Sequence, residues 1–196
     1  MIAFIEGELV EKNPAYVVLN CNGVGYMIHV SLNTYSQLPE GPRVKLHTYM
    51  VIREDAHTLF GFVQQQEREL FKHLISVSGV GPNTARMILS SMSVNEIRQA
   101  IVNNNISVLQ SVKGIGAKSA QRIIVDLKDR IEKEGTLPEE NLGQPDNTIR
   151  EEALSALVML GYNKAVAQKT LNQILKQKSA SELTIEQLIK EALKYS

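Results

Sequence analysis

The chain has 196 residues, of which 43% are hydrophobic and 21% charged, with 21 Lys and Arg against 21 Asp and Glu. That length suits two or three small globular domains. The single cysteine, Cys21, excludes an internal disulfide framework and suits a reducing compartment. No run of about 18 apolar residues and no signal-peptide pattern is present, so a cytoplasmic protein with no membrane association is expected.

Divided by region, the charge is uneven. Residues 1–63 hold four Lys/Arg and six Asp/Glu, residues 64–135 ten and seven, and residues 136–196 seven and eight. The surplus of positive charge lies in the middle of the chain.

Residues 1–63 read as β. Val17-Val18-Leu19 and Val24-Tyr26-Ile28-Val30 flank Asn22-Gly23, a strong hairpin signal. Val44-Leu46-Thr48-Met50 alternates with Lys45-His47-Tyr49, and His57–Phe62 forms another strand. Several short strands with glycine punctuation predict a small barrel of the oligonucleotide-binding (OB) type. An SH3-like barrel fits the pattern nearly as well. Cys21 lies in a strand-like run and reads as a small core residue. His29, His47, His57 and His73 show no metal-ligand spacing, so neither metal nor cofactor is expected. Between two strands lies Glu54-Asp55. Taken alone, such a pair is a solvated turn. A Mg²⁺-dependent nuclease would need further carboxylates converging on it, and the other acids of this region are scattered.

Residues 64–134 read as helical and contain a repeat. Ser76-Val-Ser-Gly-Val-Gly-Pro-Asn-Thr-Ala-Arg-Met-Ile-Leu89 aligns with Ser111-Val-Lys-Gly-Ile-Gly-Ala-Lys-Ser-Ala-Gln-Arg-Ile-Ile124, with six identities: Ser76/Ser111, Val77/Val112, Gly79/Gly114, Gly81/Gly116, Ala85/Ala120 and Ile88/Ile123. A repeat at fixed offset signals one supersecondary unit used twice. Apolar residues precede each copy (Leu70, Phe71, Leu74, Ile75; Ile106, Val108, Leu109) and recur at helical spacing after it (Ala85, Ile88, Leu89; Ala120, Ile123, Ile124, Leu127). Each unit therefore predicts helix, tight turn, helix. The glycines permit positive φ and leave no Cβ in the way of a ligand. Val80 and Ile115 should point inward, and Pro82 suits a first helical position. Turn and helix N-terminal amides would face outward, where they attract anions. Two such cradles can hold two phosphates. Arg86, Arg98, Lys113, Lys118 and Arg122 stand against Glu96 alone within 76–125, the local footprint of a phosphate-binding surface. This is the helix-hairpin-helix pattern, and the DNA-binding residues it predicts are Gly79, Gly81, Asn83, Thr84, Lys113, Gly114, Gly116, Lys118, Ser119 and Arg122. Gly116-Ala-Lys118-Ser119 is not a P-loop, because the glycine spacing and the preceding strand are lacking. A capping box, Ser93-Val-Asn-Glu96, opens a short helix between the copies.

Residues 135–147 hold two Gly, two Pro and three acids, which predicts a flexible linker. From 148 to 196 three amphipathic helices are expected. Thr148 with Glu151 and Thr184 with Gln187 read as capping boxes, Gly161 ends the first helix and Asn163 caps the second. So small a bundle on a tether reads as a docking module. Leu157, Leu160 and Tyr162 are candidates for its docking surface, or else for its core.

Met1-Ile2, Gly23-Val-Gly-Tyr26, Arg53-Glu-Asp-Ala56, Leu59-Phe-Gly-Phe62, both hairpins and Leu160-Gly-Tyr162 together resemble the RuvA family, whose members bind Holliday junctions. The resemblance covers all three regions. It implies a multidomain, β-then-α chain: an OB-fold-like barrel (1–63), a tandem helix-hairpin-helix domain (64–134), a linker (135–147) and a UBA-like three-helix bundle (148–196). It implies a homotetramer, one or two per junction, that spreads a four-way DNA junction open. Glu54 and Asp55 would form an acidic pin near its centre. The third domain would recruit RuvB, a hexameric ATPase that drives branch migration, and RuvC resolvase is a further implied partner. The implied setting is the nucleoid, in DNA recombination, repair and the SOS response to DNA damage. The chain itself would be no enzyme. It departs from the family pattern at Asn83 and Ala117, where lysines are expected, and at Glu6, where a basic residue is common. Lys113 restores one charge, and binding should rest more on backbone amides. Two other classes compete. A helix-hairpin-helix glycosylase needs a catalytic group and a base-sized pocket, and the absence of tryptophan gives little for a flipped base to stack on. A duplex-binding repair scaffold without structure preference differs only in the acidic turn and the tetramer.

Overall fold

In the computed structural model, strands β1 (Phe4–Asn13), β2 (Tyr16–Cys21), β3 (Val24–Val30), β4 (Arg43–Ile52) and β5 (His57–Phe62) close into a barrel in the order β1-β2-β3-β5-β4. The structure describes residues 2–135, 145–177 and 184–194. β3 and β5 pair in parallel, Ile28 with Leu59 and Val30 with Gly61. All the other pairings are antiparallel. This Greek-key order is that of the OB fold and separates it from the SH3-like alternative. β1 serves two neighbours. Phe4–Glu8 pairs with β4, and the strand from Glu8 onward pairs with β2, with a bulge between Leu9 and Glu11 inside that second pairing. The bulge bends the long strand around the barrel corner. Asn22 and Gly23 turn the β2–β3 hairpin with φ of 52° and 91°, as a two-residue turn with both central residues left-handed requires. Alternate side chains, among them Val17, Leu19, Ile28, Val44 and Leu46, fill the barrel interior.

A short helix, α1 (Leu32–Ser36), links β3 to β4. Helices α2 (Gln65–Ser76), α3 (Pro82–Ser91), α4 (Val94–Val102), α5 (Ile106–Gln110) and α6 (Ala117–Gly135) follow the barrel. The predicted capping box at Ser93 and Glu96 is present in full. These helices share one core with the barrel's last strand. Phe71 of α2 lies 5.0 Å from Phe60 and 5.1 Å from Phe62, centroid to centroid. Accordingly Met1–Leu137 forms one compact unit and Pro138–Ser196 a second.

Polar contacts reinforce that shared core. Glu67 is 1% exposed and accepts hydrogen bonds from the hydroxyls of Ser31 and, at 2.8 Å, Thr34. Burial pushes its pKa up, opposed by those two hydroxyls. A raised folded pKa favours the protonated form in the native state. The associated stability is therefore full below the unfolded value of 4.5 and is lost as pH rises through the folded pKa. Glu67→Gln removes this dependence. Measured by urea unfolding, the wild type should lose stability relative to the variant as pH climbs above 4.5, by at most about 1.4 kcal/mol per pH unit.

In the second unit, α7 (Pro145–Met159), α8 (Lys164–Gln177) and α9 (Ile185–Lys194) pack around Ala153, Leu157, Ala167, Leu171, Ile174, Leu188 and Ala192. α7 opens at Pro145, so Thr148 lies inside it and not ahead of it as its capping-box reading requires. Most of the expected linker, 136–144, falls outside the described residues, as does the Glu151 side chain. The Thr184–Gln187 capping box forms reciprocally, at 3.0 and 3.3 Å. Asn163 caps α8 through the Ala165 amide at 2.9 Å. Gly161, at φ 96°, ends α7. The Tyr162 amide returns to the Leu157 carbonyl and the Gly161 amide to that of Val158, a Schellman closure.

Candidate nucleic-acid interface

The sequence repeat is a repeat of hydrogen bonds. In the first hairpin the Ser76 hydroxyl donates to the His73 carbonyl at 2.7 Å, and in the second Ser111 donates to Val108 at 2.7 Å. The Val77 amide donates to Leu74 and the Val112 amide to Leu109. Val80 and Ile115 close each turn by donating to Val77 and Val112, at 3.0 Å in both. Gly79 has φ 89° and Gly114 φ 91°, a conformation that glycine adopts without penalty. Val77 and Val112 are 2% and 3% exposed, Val80 and Ile115 5% and 6%. Every apolar side chain of the turn thus faces the core.

What faces outward is backbone. Gly81 is the N-cap of α3 and Pro82 its first residue. The first intrahelical bonds run from Ala85 to Gly81 and from Ala120 to Gly116. The amides of Asn83 and Thr84, and of Ala117, Lys118 and Ser119, therefore lie ahead of the helical ladder. A Cβ built on Gly81 or Gly116 meets nothing within 4 Å, and neither residue has positive φ. The fold gives these two glycines no internal reason to be glycine. What they leave open is access to the amides beside them, a geometry suited to a phosphate oxygen.

The side chains around these cradles divide. Asn83, Lys113 and Lys118 are exposed, with Thr84 and Ser119 half-buried beside them. Arg122 is exposed, and its Nη1 donates to the Ser78 carbonyl at 3.2 Å, joining the second hairpin's helix to the first hairpin's turn. Its other N–H groups stay available. Arg86 belongs elsewhere: its Nη1 donates to the Ala15 carbonyl at 2.8 Å, in the β1–β2 turn, so this member of the basic cluster ties α3 to the barrel.

Glu54 and Asp55 are exposed at the β4–β5 turn, which the Arg53 amide closes on the Ala56 carbonyl at 2.9 Å. Neither carboxylate has an ion pair or hydrogen bond among the described residues. No group of three or more His, Cys, Asp or Glu converges as a metal site among them either. No helix of the described residues is long and apolar enough to cross a membrane.

Of the three docking candidates, Leu157 is 2% exposed in the bundle core, Tyr162 packs against that core, and Leu160 is 61% exposed. Its neighbours Val158 and Met159 are 40% and 86% exposed. Leu157 is therefore committed to the fold, while Leu160 stands in an exposed apolar run that the sequence reading did not single out.

Comparison with known proteins agrees along the chain. Residues 1–61 match the family described as RuvA N terminal domain. Residues 71–129 match SAM-like Helix-hairpin-helix tandem, and residues 148–196 match RuvA, C-terminal domain. A protein of Cytophaga hutchinsonii named Holliday junction branch migration complex subunit RuvA is 52% identical over the whole of both chains. Proteins of the same name from Christiangramia forsetii and Bacteroides fragilis are 51% and 48% identical, each match covering 99% of both chains. The chain belongs to the RuvA family.

Proposed function

We propose that this chain binds four-way DNA junctions and serves as the DNA-binding subunit of a branch-migration complex. The observation that carries this reading is the duplicated turn, with its two sets of outward backbone amides and two glycines that are open only toward solvent. Gly79 and Gly114 shape the turns. Gly81 and Gly116 admit the phosphate. The amides at Asn83 and Thr84, and at Lys118 and Ser119, hold it, with Lys113, Lys118 and Arg122 adding charge. Glu54 and Asp55 repel phosphate at the centre of a homotetramer of which one or two copies clasp the junction. The barrel (1–63), hairpin domain (64–134) and tethered bundle (148–196) divide the work. The bundle recruits the RuvB ATPase, which hydrolyses the ATP, through Leu160 and the exposed side chains beside it. RuvC follows as a partner at the same junction, in the nucleoid.

A band-shift comparison of a four-way junction with a linear duplex of equal length tests this reading. The junction should bind more tightly. Equal affinity would leave a scaffold for duplex DNA. Lys118→Ala should lower the slope of log affinity against log salt by about 0.9, the loss of one phosphate contact. An unchanged slope would place Lys118 off the DNA. Truncation after Glu134 should keep junction binding but remove stimulation of the ATPase, and normal branch migration by the truncated chain would rule out recruitment by the bundle.

A further inference from the structure

Helix α1 belongs to the barrel by its place between β3 and β4. Its polar groups nevertheless reach the hairpin helices. The Asn33 side-chain amide donates to the Leu89 carbonyl at 2.6 Å and to the Met92 carbonyl at 2.8 Å, both at the C-terminal end of α3. The Leu32 amide donates to the Ser90 hydroxyl at 3.0 Å. On the other side, Glu67 in the first turn of α2 accepts from Ser31 and Thr34, and the Ser31 hydroxyl accepts the Thr34 amide at 2.9 Å. α2 leads into the first hairpin turn and α3 leaves it. The barrel therefore grips both helices at the ends farthest from the turn.

The second hairpin is braced on the first. Besides Arg122 on Ser78, the Arg130 guanidinium of α6 reaches the Ser76 hydroxyl at 3.4 Å. Placement thus passes from the barrel to the first hairpin and from there to the second. The acidic turn is part of the same barrel, at the end of β4.

We propose that Asn33 and Glu67 are specificity-determining positioning residues, which hold the two phosphate cradles at a fixed place relative to Glu54 and Asp55. This rests on the junction-binding reading: a junction is told from a duplex only if attraction at the cradles and repulsion at the turn keep a set geometry. Asn33 alone supplies two donors to carbonyls at a helix end, where unpaired carbonyls are otherwise left over. Loss of those donors loosens the C-terminal end of α3, which Arg86 and Ser90 still tether to the barrel, without touching any phosphate contact.

The test uses the full chain. Asn33→Asp keeps the shape but replaces both donors with a carboxylate facing two carbonyls, and Asn33→Ala and Glu67→Ala, which removes the acceptor for Ser31 and Thr34, are companions. The junction-to-duplex affinity ratio should fall about tenfold in Asn33→Asp, the equivalent of two ordinary hydrogen bonds. The salt slope should stay at its wild-type value, because the same phosphates are touched. Asn33→Gln, which restores a side-chain amide, should recover part of the ratio. A DNA-free readout accompanies this: spin labels at His57→Cys and Asp129→Cys, on a Cys21→Ser background, should show a broader distance distribution in Asn33→Asp. If Asn33→Asp does not fold, Asn33→Ala and Glu67→Ala decide by the same two readouts. A ratio unchanged in folded variants overturns the proposal. If the wild type itself shows no junction preference, the junction-binding reading fails, and an unchanged label distance then overturns the positioning role on its own.

Discussion

Valine at both Gly81 and Gly116 is expected to abolish junction binding while leaving the thermal midpoint almost where it was. The two glycines are neither strained nor crowded. Gly81 has φ −83° and ψ 168°, extended backbone that valine adopts readily, and an added Cβ at either site meets no protein atom within 4 Å. The new side chains would instead stand in front of the amides ahead of α3 and α6. A hydrogen bond to a charged group contributes about 1.5–3 kcal/mol, so losing two at one cradle lowers affinity by at least about 100-fold. Losing both cradles takes binding below detection. The single variants should each show the intermediate loss. Alanine at Gly79 or Gly114 is the contrasting case. There φ is 89° or 91°, and a Cβ in left-handed backbone costs about 1–2 kcal/mol, so the midpoint itself should drop. Circular dichroism melting beside a junction band shift separates the two effects. Wild-type junction affinity in the Gly81→Val, Gly116→Val double variant would show that the duplicated turns are only helix connectors.

The contrast between those glycine pairs shows what a sequence can and cannot carry. The repeat located the turns, because the same local chemistry written twice is visible in any alignment of the chain with itself. It did not say which glycine of each pair the backbone needs and which it does not, since that depends on φ and on empty space. Asn22-Gly23 was legible for a similar local reason, whereas the parallel β3–β5 pairing that decides between two barrel types joins residues about thirty apart and leaves no local trace. Charge was legible only in bulk. Arg86 and Lys118 contribute equally to a basic segment, yet one is held by the barrel and the other stands exposed beside the second turn. α1 is too short for periodicity to show, and Asn33 gives no sign of the two carbonyls it binds. Glu67 did leave a signal: it precedes Leu70, Phe71 and Leu74 by three, four and seven residues, which puts an acid on the buried face of α2. In the third region, helical spacing places Leu157 with the core, but Leu160 lies beyond the last residue of α7, where that spacing no longer applies.

Changing Glu54 to Gln and Asp55 to Asn is expected to raise affinity for linear duplex and so reduce the preference for junctions. The substitutions keep size and turn chemistry, and the turn's own closure is a backbone bond between Arg53 and Ala56, so the barrel should be unaffected. Neither carboxylate has a partner among the described residues, and both side chains are exposed. Their negative charge is therefore directed at whatever approaches the turn. In the proposed tetramer the change removes about eight charges near one axis, where repulsion of phosphate adds up within a Debye length of about 8 Å at physiological salt. A continuous duplex would have to cross that region, while the arms of an opened junction pass around it. Duplex binding should therefore tighten, and junction binding should change little or rise slightly. The rate of motor-driven branch migration should change too, because a neutral turn no longer helps to part strands at the crossover. The difference should be largest at low salt and shrink as screening grows. If the junction-to-duplex ratio at low salt stays at its wild-type value, the two acids form an ordinary solvated turn, and structure preference in this chain comes from the hairpins alone.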